Sequence, residues 1–185
     1  MRMMTFALAA SMTMAPAALA GDGERCAKHG SQPAGIGVAS PYAGEQERAL
    51  KSLSDDEIKA FRSGAGMGLA KPAELNHYPG PKHAIELAGD LRLSEEQLAA
   101  ARRAFDAMNE EATTIGQQIV VKEESLDRLF ASGHANDDAV VAATLELGAL
   151  HGRLRAAHLK AHIRMREIMT AEQIAAYDTL RGYTP

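Results

Sequence analysis

The sequence predicts an all-α protein built on a long antiparallel helical hairpin with short flanking helices, and three observations carry that prediction. Apolar residues between Ser94 and Gln173 recur three and four apart, the period at which a helix buries one stripe. Leu98, Ala101, Phe105, Met108, Ala112, Ile115, Ile119 and Leu126 mark the first half; Leu147, Leu150, Leu154, Ala161, Met165 and Ile168 mark the second. The polar link Ser132-Gly133-His134-Ala135-Asn136-Asp137 ends one helix at its Gly and offers an Asn-Asp cap to the next, and a link that short folds the helices back on each other. No segment alternates apolar and polar residues as a half-buried strand does.

Taken in order, residues 1–20 have the layout of a secretory signal peptide: Arg2, an apolar run, and Ala18-Leu19-Ala20 before Gly21. Cleavage is expected after Ala20, with the periplasm as destination. No later stretch reaches the ~18 uninterrupted apolar residues of a membrane span. Residues 21–45, rich in Gly, Ser and Pro, read as a flexible arm, and residues 46–185 as a single helical domain. The arm holds the one cysteine, Cys26, which has no partner for an intrachain disulfide. Ser54 caps a short helix that runs to Ser63 and ends at Gly64. The glycines from Gly64 to Gly68 lack the preceding strand and following Lys-Ser/Thr of a phosphate loop. Pro79-Gly80-Pro81 makes a turn, and Pro81 suits the first position of a helix through Leu91. A last helix starts at Thr170 and stops at Gly182.

The chain carries 20 basic and 24 acidic side chains, one of the basic ones, Arg2, within the leader. An acidic balance argues against nucleic acid or an anionic membrane as main partner, since both are held through clustered positive charge. No Ser/His/Asp or Cys/His constellation is set by a recognisable turn, and the hydroxyls that stand out are engaged in helix capping, so a non-enzymatic protein is expected.

Those hydroxyls follow one grammar. Leu93-Ser94-Glu95-Glu96-Gln97-Leu98 and Met169-Thr170-Ala171-Glu172-Gln173-Ile174 each place an apolar residue, a hydroxyl N-cap, a Gln at N3 and an apolar residue at N4. This is a capping box with its hydrophobic staple, and Leu53-Ser54-Asp55-Asp56-Glu57-Ile58 writes it again. At the two ends of a helical hairpin behind a signal peptide, Leu93, Ser94, Gln97 and Met169, Thr170, Gln173 resemble the paired LTxxQ motifs of the Spy/CpxP family of periplasmic proteins, with Ser94 for the usual Thr and Met169 for the usual Leu. The stretch from Gly66 to Ala70 and that from Ala73 to His83 resemble segments of the branch described as heavy-metal sensors or resistance proteins. The resemblance implies a homodimer, and either an ATP-independent chaperone of the envelope stress response or a metal sensor.

Two surfaces of the second hairpin helix are apolar. Opposite the main stripe lie Ala142, Leu145, Ala149, Gly152, Ala156, Leu159 and Ile163, mostly small. A helix apolar on two sides is covered on both, by flanking helices of its own chain or by a second subunit. Charge divides between the helices as well: eight acidic against four basic side chains from Ser94 to Arg128, five basic against Glu167 from His151 to Met169. Opposite excess favours antiparallel pairing modestly.

His151, His158 and His162, with Met165 and Met169, fall along one edge of the main stripe. His158 and His162 are four apart, the spacing at which two imidazoles on one helix reach a single ion, with Met165 three further on. His151 lies about 10 Å from His158 along the axis, too far to share it. Imidazole and thioether donors suit copper, nickel, cobalt or zinc; the alternative is that these residues only line a helix seam. Function therefore reads first as a stress protein that binds unfolded or misfolded envelope proteins with no cofactor. The second reading is a metal sensor or resistance protein using His158, His162 and Met165. The third is a structural dimerisation module contacting a sensor kinase or an anti-sigma partner.

Overall fold

The computed structural model describes residues 39–183 of the chain. The expected signal peptide and most of the arm, with Cys26 and His29, lie outside the described residues. Six α-helices follow in order, preceded by a short 3₁₀ turn at Glu45–Glu47: α1 Asp55–Arg62, α2 Lys71–Glu74, α3 Pro81–Glu86, α4 Glu95–Ala131, α5 Asp137–Ile168 and α6 Ala171–Arg181. Among the described residues there is no strand. At 1.5 Å per residue α4 and α5 are about 55 and 48 Å long, and they pack along each other as the hairpin. Among the described residues no helix is long and apolar enough to cross a membrane.

Each helix begins where its cap places it. The hydroxyls of Ser54, Ser94 and Thr170 accept from the backbone N–H of Glu57, Gln97 and Gln173, whose side chains reach back to the cap N–H. Asn136 caps α5 through the N–H of Ala139. Gly133 and Gly182 take the left-handed conformation beyond the ends of α4 and α6, where a side chain would be strained.

Two elements differ from the sequence reading. The helix expected from Pro81 to Leu91 stops at Glu86, and the chain turns through Gly89 and a left-handed Arg92 so that Leu91 can enter the core. Between α1 and α3 a single helical turn, α2, forms where only a loop and a proline turn were expected; Pro72 at its start fixes φ without removing a needed hydrogen bond.

The core forms two clusters along the hairpin. Toward the α4–α5 link, Phe61, Ala112, Ile115, Ile119, Leu147, Leu150 and Leu154 pack together with Leu50. Toward the other end, Ala84, Leu91, Ala101, Ala104, Met165, Met169 and Tyr177 form the second. The divided charge is used where the helices meet: Lys122 pairs with Glu146 at 2.6 Å and Lys160 with Glu111 at 3.3 Å. The second apolar surface of α5 finds no cover among the described residues. Leu159 is half-buried, while Ala142, Leu145, Ala149, Gly152, Ala156 and Ile163 are exposed; the described helices of the chain do not cover it.

Candidate functional site

The two capping boxes at the base of the hairpin meet. Gln97 Nε2 donates to Gln173 Oε1 at 2.9 Å and Gln173 Nε2 donates to Gln97 Oε1 at 3.0 Å, a closed pair of amides. The second amide proton of each goes to a backbone carbonyl, Ile168 at 2.8 Å and Arg92 at 3.3 Å, and each Oε1 also accepts the N–H of its own cap residue. Every donor and acceptor of both amides is thereby satisfied, which is what allows two polar groups to sit half-buried without penalty. Leu93 and Met169, the apolar residues before the caps, pack into the adjoining cluster. Sequence reading found these six residues as two separate helix starts; their joining across the hairpin is a tertiary fact.

Beside this base, residues 70–81 form a strap across α5 and α6. Its helical turn α2 is closed by Asn76, whose side chain donates to Pro72 O at 2.7 Å, and the chain then reverses at His77 with φ of 64°. A left-handed non-glycine residue needs outside support. It has that support: His77 Nδ1 lies 2.7 Å from the buried carboxylate of Asp178, while Arg166 donates to His77 O at 2.8 Å and stacks 4.6 Å over the Tyr78 ring. Glu74, on α2, is the centre of a second set. Its Oε1 accepts from Tyr177 OH at 2.6 Å and Tyr183 OH at 3.0 Å, with Arg181 Nε 3.5 Å away, and Tyr177 OH in turn accepts the N–H of Gly80 at 3.1 Å. Burial together with the Glu74 carboxylate pushes the Tyr177 phenol well above its ordinary pKa, so it is a fixed donor.

His158 and His162 lie beneath the strap. Both are buried, 3% and 8% exposed, which places them inside the structure and not at the rim of the helix seam. They share an open cleft of about 650 Å³ with Glu74, His83, Phe105 and Met108. His162 Nδ1 lies 2.8 Å from Tyr78 O and 3.5 Å from Glu74 Oε2. A carbonyl can only accept, so Nδ1 carries the proton and Nε2 of the neutral ring bears the lone pair, the tautomer of a metal-binding imidazole held by an outer partner. His158 Nε2 has no hydrogen-bond partner although it is buried. Burial, and then the neighbouring His162, hold its pKa below the usual 6.5, so the ring is neutral at neutral pH. Gly80 passes so close that a Cβ there would stand 3.1 Å from His162 Cε1 and 3.1 Å from Glu74 Oε2. Imidazole nitrogens suit a soft or borderline ion. Among the described residues no three His, Cys, Asp or Glu side chains converge as a complete ligand set.

The remaining sequence candidates land elsewhere. Met165 is fully buried among Ala84, Leu91, Ala101 and Tyr177 and does not line the cleft, because the step from His162 turns it toward the α3 and α6 side of the helix. His151 is exposed on α5, its ring edge-on to Phe61 at 5.7 Å. Glu74, His77, Tyr177 and Asp178 had no sequence signal beyond their polarity. The one hint was the segment from Gly66 to His83, distinctive in composition yet without a motif of known use.

A sequence model of the heavy-metal resistance family matches residues 58–176, from α1 into α6. No curated protein and no solved structure matches the chain.

Proposed function

The chain belongs to the heavy-metal resistance family, one of Spy/CpxP-like helical periplasmic proteins, and from that premise we propose an exported, non-catalytic protein that binds a transition-metal ion at His158 and His162. One observation carries the reading: two buried imidazoles four residues apart open on the same cleft, one with its Nε2 unpartnered and the other locked by Tyr78 O into the tautomer that frees its Nε2. Met108, on the facing helix, and Met67 line that cleft and are the thioethers offered in place of Met165. Copper, nickel, cobalt and zinc are the ions such donors suit. His162 is also the mechanical link, because Tyr78 O holds the same ring from the strap; a change at its Nε2 is felt by residues 70–81.

Titration calorimetry on the chain lacking residues 1–20 tests this. Saturable binding tighter than about millimolar is expected, weakening as pH falls through 6 because the imidazoles must be unprotonated to bind. His158→Ala or His162→Ala should abolish it and His151→Ala should leave it. No saturable binding, or equal loss with His151→Ala, overturns the reading.

A second reading, weak capture of unfolded envelope proteins without ATP, is supported by exposed apolar side chains set among charge: Val121, Phe130, Val141, Leu145 and Ile163 are 49–69% exposed. The open face of α5 also suits a second copy of the chain, giving a homodimer. If that contact forms, Gly152→Glu should separate the subunits with helicity retained, and a wild type that sediments as a monomer at micromolar concentration removes it. Unchanged aggregation of a model client at several-fold excess of the protein removes the capture reading.

A further inference from the structure

From the shape and charge of the cleft we infer that the protein takes a metal complex, an ion still carrying a small carboxylate-bearing ligand, and not the bare hydrated ion; this rests on the metal reading above. Three observations lead there. The first is size: about 650 Å³ is on the scale of pockets that enclose small organic molecules and far larger than one ion needs. The second is the donor count. His158 and His162 supply two nitrogens, no third His, Cys, Asp or Glu converges on them among the described residues, and the methionines on the lining, Met67 and Met108, add at most two thioethers. A six-coordinate ion such as nickel then has at least two coordination positions filled from outside the described chain.

The third observation is the sign of the surrounding charge. Among the described residues Glu74 is the one carboxylate lining the cleft; its Oε1 is taken by Tyr177, Tyr183 and Arg181, and its Oε2 lies 3.5 Å from His162 Nδ1. Lys71 and Lys82 are exposed on the cleft lining, Lys82 within 4.0 Å of Glu86 and Lys71 without an ion pair among the described residues. A hydrated divalent cation enters against that charge. A chelate whose carboxylates compensate the ion does not, and its carboxylate oxygens meet two ammonium groups while the imidazoles close the remaining positions. Phe105 and Met108 provide the apolar wall for the chelator's carbon frame.

Two nickel complexes with the same number of open positions separate the possibilities. Nickel nitrilotriacetate is anionic and presents carboxylates; nickel tris(2-aminoethyl)amine is cationic and presents amines; each leaves two adjacent positions for imidazoles. By calorimetry and the visible spectrum of nickel, the nitrilotriacetate complex is expected to bind about tenfold tighter than the amine complex, on the scale of two partly screened charge contacts. That preference should shrink in high salt and disappear in the Lys71→Ala/Lys82→Ala double variant, with circular dichroism unchanged. His162→Ala should remove both complexes. Equal binding of the two complexes, or tighter binding of the amine complex or of hydrated nickel, overturns the inference while leaving the metal reading standing. A loss of hydrated-nickel affinity in Cys26→Ser or His29→Ala also overturns it, by showing that the chain itself fills the open positions. Failure of every form of nickel, copper, cobalt and zinc removes both.

Discussion

The same two helices are joined in opposite ways a few turns apart. At Gly116 the end of α1 rests directly on α4: a Cβ there would stand 2.0 Å from Phe61 O, and Ile115, Ile119, Leu150 and Leu154 close round the contact. About two to three turns nearer the base α4 presents Phe105 and Met108, about one to two turns beyond Leu154 α5 presents His158 and His162, and a cleft remains between them and the strap. Backbone-to-backbone packing leaves no room for a ligand and fixes the helices rigidly. Polar contacts through Glu74, Tyr78 and Asp178 hold the strap in place across a space, and every one of them ends on a titratable or hydrogen-bonding group that a ligand could influence. Rigidity is provided on both sides of the cleft, and adjustability only at it.

The most damaging way to break the contrast is Gly116→Ala. The methyl group meets backbone and not a movable side-chain end, so a loss of about 3 kcal/mol is expected in urea unfolding; an unchanged midpoint would show that α1 does not rest there. Next is the amide pair. Gln97→Leu strands Gln173, the Ile168 carbonyl and the Ser94 N–H, at a cost of about 2 kcal/mol, and adding Gln173→Leu should cost much less than a second such loss. Strict additivity would mean that the amides do not meet. Gly148→Ala turns the first experiment round: it is helical, exposed and has open space about it, so the same methyl group should stabilise by about 0.5–1 kcal/mol.

The smallest effect is a pH dependence of the metal-free protein. His158 has a folded pKa below its unfolded value of 6.5, so the unfolded chain takes up the proton first as pH falls. Its contribution is complete above 6.5 and is lost as pH falls through the folded pKa. Glu57, lowered chiefly by the backbone N–H of Ser54 and then by its hydroxyl, loses its share only below the carboxylate value of 4.5. Melting temperature should therefore begin to fall below about pH 6.5, and His158→Gln should flatten that upper part of the curve alone. A wild-type curve flat from pH 7 to 5 would contradict the burial of this ring.

Much of this architecture was legible because it is written locally. Helix periods, the three capping boxes, the Asn136 cap and the Gly133 stop depend on residues within about four positions of one another, and each forms at its expected place. The His158–His162 spacing was equally legible, being a property of one helix. What the sequence could not carry was which side of α5 each residue would face once neighbours arrived. His162 and Met165 are three apart on one stripe, yet the strap covers the first and the apolar cluster of α3, α4 and α6 encloses the second. The strap itself is held by partners 84 to 109 residues away, His162, Tyr177, Asp178 and Tyr183, and no local period encodes such pairings. Likewise Gln97 and Gln173 announce two helix starts, and only the length of the hairpin between them brings the amides together. Sequence alone determined the helices, since capping and amphipathic period are short-range. Tertiary structure decided the cleft, since a space is defined by which surfaces fail to meet, and that is settled only when all of them are in place.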